Sequence, residues 1–171
     1  MTIILNNILR FVVLILFQGL ILNQVTLFGG QILPMLYILA ILMLPIETPT
    51  WFVLIISFAT GASIDIFTNT LGMHISATLM VGFMRKRVLE LFAPREGYEI
   101  GVKTRIDSLG LSWFLSYAGL LILVHHFWLF FLEVFRFTHF FHTFFRVILS
   151  AGFTLLLAVL VQYLFYYKRR L

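Results

Sequence analysis

The 171-residue chain is 11% charged and 61% apolar, with a mean hydropathy of +1.05. A soluble fold of this size needs far more polar surface, so the composition excludes one and assigns the apolar exterior to lipid. The net charge of +5 would suit nucleic acid, but the bases flank apolar runs and form no solvated domain. They read as orientation signals and anionic-lipid contacts. The absence of cysteine excludes a disulfide framework and any thiolate metal or redox site.

Six apolar segments follow in order, at about residues 6–25, 32–45, 50–67, 71–84, 108–128 and 144–167. The first run has no small-residue cleavage site after it, so it is expected to stay as the first span. Asn23, Gln24, Gly29 and Gly30 then mark a turn, and Pro45 and Pro49 bracket the next one. The second and fourth segments are short for a span, which needs roughly 20 apolar residues. Two readings are open: full crossing with borrowed flanking residues, or a broken helix buried by its neighbours.

Charge favours full crossing. With six spans and a cytoplasmic N-terminus, Arg10, Arg85, Lys86, Arg87, Arg95, Lys103, Arg105, Lys168, Arg169 and Arg170 share the cytoplasmic side. Only Arg136 and Arg146 lie outside. That is a strong positive-inside bias, and losing one short span would split it. The fold expected is a single all-α integral membrane domain with both termini cytoplasmic.

Residues 85–107 form the longest polar loop. Its first part, Arg85–Phe92, mixes apolar side chains with charges and reads as an amphipathic surface helix ended by Pro94. Residues 129–143 form an outer aromatic segment. The surrounding stretch Phe127–Phe145 holds nine of the chain's twenty Phe. Glu133, Arg136, His139 and His142 recur there every third residue, so they drift slowly around one side of a helix. The segment reads as an interfacial helix or as a helical extension of spans five and six. Phe131, Phe135, Arg136 and Phe140 are its candidate partner contacts.

Asp65 is the acid placed inside an apolar span, where a charge is costly and functional by default. Its nearness to the turn at Thr68–Thr70 favours a cap that accepts from Ser63, Thr68 or the amides opening the fourth span. A proton or ion site and a partner contact are the alternatives. Gly61, Ala62 and Ser63, with Ala59 and Thr60 before them, let helix backbones approach closely, and Gly72, Ser76 and Thr78 are the facing surface expected on the fourth span. Pro34 reads as a helix start, or else as a kink that opens a cavity. Arg85 opens the basic cluster. His125-His126 and His139-x-x-His142 lack the convergent ligands of a metal site, so interfacial hydrogen bonding is expected and no cofactor. No nucleophile elbow, P-loop or dinucleotide glycine pattern is present.

The layout resembles the rod shape-determining MreD family. The residues that carry the resemblance are Pro34 in the second span, G-A-S-I-D-I-F-T-N-T-L-G-M-H at Gly61–His74, and G-F-M-R-K at Gly82–Lys86. Family members show a similar glycine, acid, glycine arrangement, matched here by Gly61, Asp65 and Gly72. The resemblance implies a non-catalytic, multi-pass scaffold of the bacterial inner membrane. Its implied partners are the bitopic MreC, the actin-like MreB, a SEDS glycosyltransferase and a transpeptidase, all organising lateral peptidoglycan synthesis. It also implies a fold like that of energy-coupling-factor substrate-binding subunits. The rival class, a small-molecule-binding transporter subunit, needs convergent polar lining, for which Asp65, His74, Asn69, Gln18 and Asn23 are the candidates.

The cysteine-free chain allows a direct check of orientation. A membrane-impermeant thiol reagent applied to intact cells is expected to label Phe141→Cys and to spare Arg95→Cys until the cells are permeabilised. Labelling of Arg95→Cys in intact cells reverses the topology.

Overall fold

The long apolar runs fold as helices because lipid offers the backbone no hydrogen-bond partner, and an α-helix satisfies its own. The structure, a computed structural model, describes residues 2–25, 27–134 and 140–166. Among these are α1 (Thr2–Leu20), α2 (Leu39–Leu42), α3 (Thr50–Thr68), α4 (Met73–Leu91), α5 (Ile106–Leu109), α6 (Leu111–Val134) and α7 (Phe140–Phe165). Short 3₁₀ turns cover Leu22–Gln24, Phe28–Gly30 and Leu36–Ile38. The stretches Asn7–Gln24, Thr50–Thr68, Leu111–Val134 and Phe140–Phe165 are each long and apolar enough to cross a membrane. The chain is an all-helical membrane protein.

The long helices pack as antiparallel neighbours. On the α3–α4 hairpin, Asp65 meets His74, Gly61 meets Ile75 and Thr78, and Ser57 meets Gly82. Four residues forward on one helix match four back on the other. On α4 and α6, Trp128 donates to Ser76 and Arg85 to Tyr117. On α6 and α7, His126 meets Thr154 and Glu133 pairs with Arg146. Large apolar side chains on α1, α3 and α7, among them Leu9, Ile55, Phe58, Leu156 and Leu164, are exposed and face lipid.

Two segments differ from the sequence reading. The fourth span and the amphipathic piece after it are one continuous helix, α4, of 19 residues. No breaker separates Met84 from Arg85, so the helix runs on until the turn before Pro94. The second segment is the larger departure, because only Leu36–Leu42 is helical, as one 3₁₀ turn joined to one α turn. Pro34 lies in the non-helical stretch before it. Proline lacks an amide donor and biases its predecessor towards extended backbone.

This irregular stretch nevertheless travels the length of the bundle. Gln31 lies at Ser150 and Met43 at Gln162 on α7, a separation of about 18 Å at the helical rise of 1.5 Å per residue. It runs through the centre: Tyr37, Ile38, Leu39, Ile41 and Leu42 have no solvent exposure. Side chains of other elements satisfy its backbone. The Ser150 hydroxyl accepts from the Leu33 amide at 3.1 Å and the Thr154 hydroxyl from the Met35 amide at 3.0 Å. Gln18 on α1 accepts from the Leu36 amide and donates to the Pro34 carbonyl, at 2.8 and 3.0 Å.

Thr154→Val is therefore expected to lower thermal stability in detergent by about 1–3 kcal/mol, the cost of stranding a buried donor. Ser116→Ala, an exposed hydroxyl bonded within its own helix, should stay within about 0.5 kcal/mol of the parent. Equal losses would mean that the hydroxyl of Thr154 does not hold the crossing chain.

Candidate functional site in the polar lining of the bundle

One end of the α3–α4 hairpin is organised by Asp65. α3 ends where Asn69 adopts left-handed backbone, φ 55°, and Gly72 does the same at φ 80° to start α4. These two turns carry the chain back over the Asp65 carboxylate. Its two oxygens accept from the amides of His74 and Ile75, each at 3.1 Å. The Thr70 hydroxyl donates to it at 2.5 Å, and the His74 ring nitrogen Nδ1 lies 2.9 Å away. Asp65 thus caps the amide end of α4 from α3, where a negative charge also meets the positive end of the helix dipole. Ser63 and Thr68 instead donate to carbonyls of their own helix, at Ala59 and Ile64.

Gly61 and Gly82 set how closely the hairpin closes. A Cβ on Gly61 would run into the backbone of Ile75 and the Thr78 hydroxyl, and one on Gly82 into Ser57. Small residues here permit contact that any side chain would block.

Deeper in the bundle lies a chain of rings. The Tyr37 hydroxyl is 2.8 Å from His125 Nε2, and the Tyr37 ring meets the His74 ring edge-on at 6.1 Å. His126 stands beside His125, with Nδ1 2.9 Å from the Ile122 carbonyl and Nε2 3.2 Å from Thr154. The Ile122 carbonyl can only accept, so Nδ1 carries the ring proton, and Nε2 accepts from the Thr154 hydroxyl, which in turn accepts from the Met35 amide. Both histidines are fully buried. This corrects the expectation that His125 and His126 hydrogen-bond at an interface: α6 continues past them to Val134, which places them inside the bundle.

The opposite end is basic. Arg85, only 2% exposed, donates from Nε to the Tyr117 hydroxyl at 3.0 Å and from Nη2 to the Leu44 and Pro45 carbonyls at 2.5 and 3.3 Å. Tyr117 and Thr104 donate to the Leu42 carbonyl, and Arg10 to that of Met43. The carbonyl end of the α2 turn is thus held by four side chains from separate parts of the chain. Tyr98, in the loop after α4, donates to the Leu89 carbonyl at 2.7 Å, and burial pushes its phenol above the ordinary value.

Asp65 and Gly72 therefore shape one end of the hairpin and Arg85 the other, Gly61 and Gly82 lie along the α3–α4 contact, and Pro34 lies on the central chain. Phe131 and Phe140 belong elsewhere, in an aromatic cluster where α6 and α7 meet, with ring centroids 5.4 Å apart. Phe135, Arg136 and His139 lie outside the described residues, as does the basic tail Lys168–Arg170. Among the described residues no three His, Asp or Glu gather to hold a metal ion. The sequence reading missed Ser150, Thr154, Tyr117 and Thr104. Ser150, Thr154, Ala158 and Gln162 recur every fourth residue and mark one inward stripe of α7, which was the available signal.

Asp65→Ala removes every acceptor at the opening of α4. A loss of about 1–2 kcal/mol in unfolding free energy is expected, as for other lost caps. Asp65→Asn, which keeps one side-chain acceptor, should fall between the two. Parent-like stability of Asp65→Ala, measured by thermal unfolding in detergent, would remove the capping role.

Compared with protein-family models, with curated proteins and with solved structures, the chain matches none.

Proposed function

We propose that the protein is a non-catalytic scaffold of the bacterial inner membrane, similar to the MreD family, that crosses the membrane six times. In this reading it binds an MreC-like bitopic protein and helps organise lateral peptidoglycan synthesis with MreB, a SEDS glycosyltransferase and a transpeptidase. One observation carries the reading: the bundle centre is filled by the protein's own second segment, whose side chains from Tyr37 to Leu42 are almost entirely buried. A transporter subunit uses that space for its ligand. With six crossings, ten bases fall on one side and two on the other, a positive-inside bias that supports this number and orientation. The second segment crosses as a broken chain and α4 crosses with its basic half at the cytoplasmic face. The exposed rings of Phe141, Phe144 and Phe145 offer a surface for a partner's transmembrane helix.

A small-molecule-binding subunit of energy-coupling-factor type is the second reading. The observation in its favour is the buried polar run of Asp65, His74, Tyr37 and His125, in which His125 Nδ1 has no hydrogen-bond partner among the described residues.

The test is affinity purification from native membranes in mild detergent, with mass spectrometry of proteins and small molecules together. A stoichiometric single-span partner, lost on Phe141→Ala with Phe144→Ala, is the expected result. A retained small molecule without a protein partner overturns the scaffold reading.

A further inference from the structure

At the basic end of the bundle, a cleft of about 410 Å³ opens between the start of α3 and the second half of α4. Arg85 and Lys86 line one wall, and Thr48 and Thr50 line another. Arg85 is almost completely buried, yet among the described residues no carboxylate lies within ion-pairing reach of it. Its carbonyl partners satisfy hydrogen bonds without neutralising the charge. A buried, unpaired cation is costly in any protein, and more so beside lipid. Glu47 also lines the cleft, but its carboxylate accepts from the Gly101 amide at 2.8 Å. One carboxylate against two cations leaves the cleft positive.

Two further features point the same way. α3 begins at Thr50; the Phe52 and Val53 amides donate to the Pro49 carbonyl, which leaves the Thr50 and Trp51 amides at the positive dipole end of the helix as donors. Trp51, 64% exposed at the same level, is the side chain found where hydrocarbon gives way to headgroups. Val53 and Leu89 give the cleft an apolar floor.

We infer that this cleft binds a net-anionic phosphate group, carried by a phospholipid headgroup or by a soluble phosphate ester. The phosphate supplies the counter-charge that Arg85 lacks, and Lys86, exposed at the rim, closes over it.

The test is thermal unfolding of the purified full chain in detergent, titrated with phosphatidylglycerol, phosphatidylcholine or glycerol 3-phosphate. Phosphatidylglycerol is expected to raise the unfolding temperature and phosphatidylcholine to leave it unchanged. Lys86→Gln should weaken the apparent affinity about fivefold. Lys103→Gln, an equal charge change at an exposed position outside the cleft, should match the parent. A gain from glycerol 3-phosphate equal to that from phosphatidylglycerol assigns the site to a soluble ester, and a gain from the lipid alone assigns it to a headgroup. No gain from either anion, an equal gain from phosphatidylcholine, or equal losses in the two variants overturns the inference.

Discussion

A backbone amide or carbonyl in hydrocarbon has no water to turn to, and each one left unpaired costs several kcal/mol. The second segment places about a dozen residues of broken chain, helical only over Leu36–Leu42, along the axis of the bundle, and this requirement governs everything around it. Each of its exposed amides and carbonyls requires a partner from a neighbouring element. Gln18 from α1, Ser150 and Thr154 from α7, Tyr117 from α6 and Arg85 from α4 are those partners. The helices are thereby tied to one central chain as well as to each other.

This accounts for the fate of the polar residues. In a chain with so few of them, a hydroxyl or amide inside a span invites a catalytic or ligand-binding role. Here most are already committed to backbone. The Thr154 hydroxyl serves the Met35 amide and His126 at once, and both ends of the Gln18 amide are occupied. Among the described residues few buried polar atoms remain uncommitted, His125 Nδ1 and Ser57 Oγ among them, while Arg85 has hydrogen bonds but no counter-charge.

The sequence shows the spans that satisfy themselves and hides those that do not. α3, α6 and α7 are long and apolar, so length and composition suffice to find them. The contact of Gly61 with Thr78 was legible because small residues on facing helices have one common use in lipid, whereas that of Gly82 with Ser57 was not among the expected pairs. The second segment was readable as short but not as broken, since its conformation depends on Ser150 and Thr154 more than a hundred residues away. Nothing within the segment records those partners. His125 and His126 were misplaced for a related reason: α6 runs on through Phe127–Val134, so the pair sits at mid-length rather than near an end.

The two buried charges of the hairpin obey one rule with opposite signs. Asp65 takes the amide end of α4, and Arg85 takes the carbonyl end of the α2 turn, so each meets the helix terminus whose partial charge attracts it. Asp65 has a further partner in the ring of His74, and the loop from Asn69 to Gly72 closes over it. Arg85 has only neutral acceptors and stands at the wall of a cleft. The negative end of the hairpin is complete within the chain, whereas the positive end is complete only with a group from outside. A fold that caps its own termini with charge thus creates, at the one place where the cap is unmatched, a reason to bind an anion.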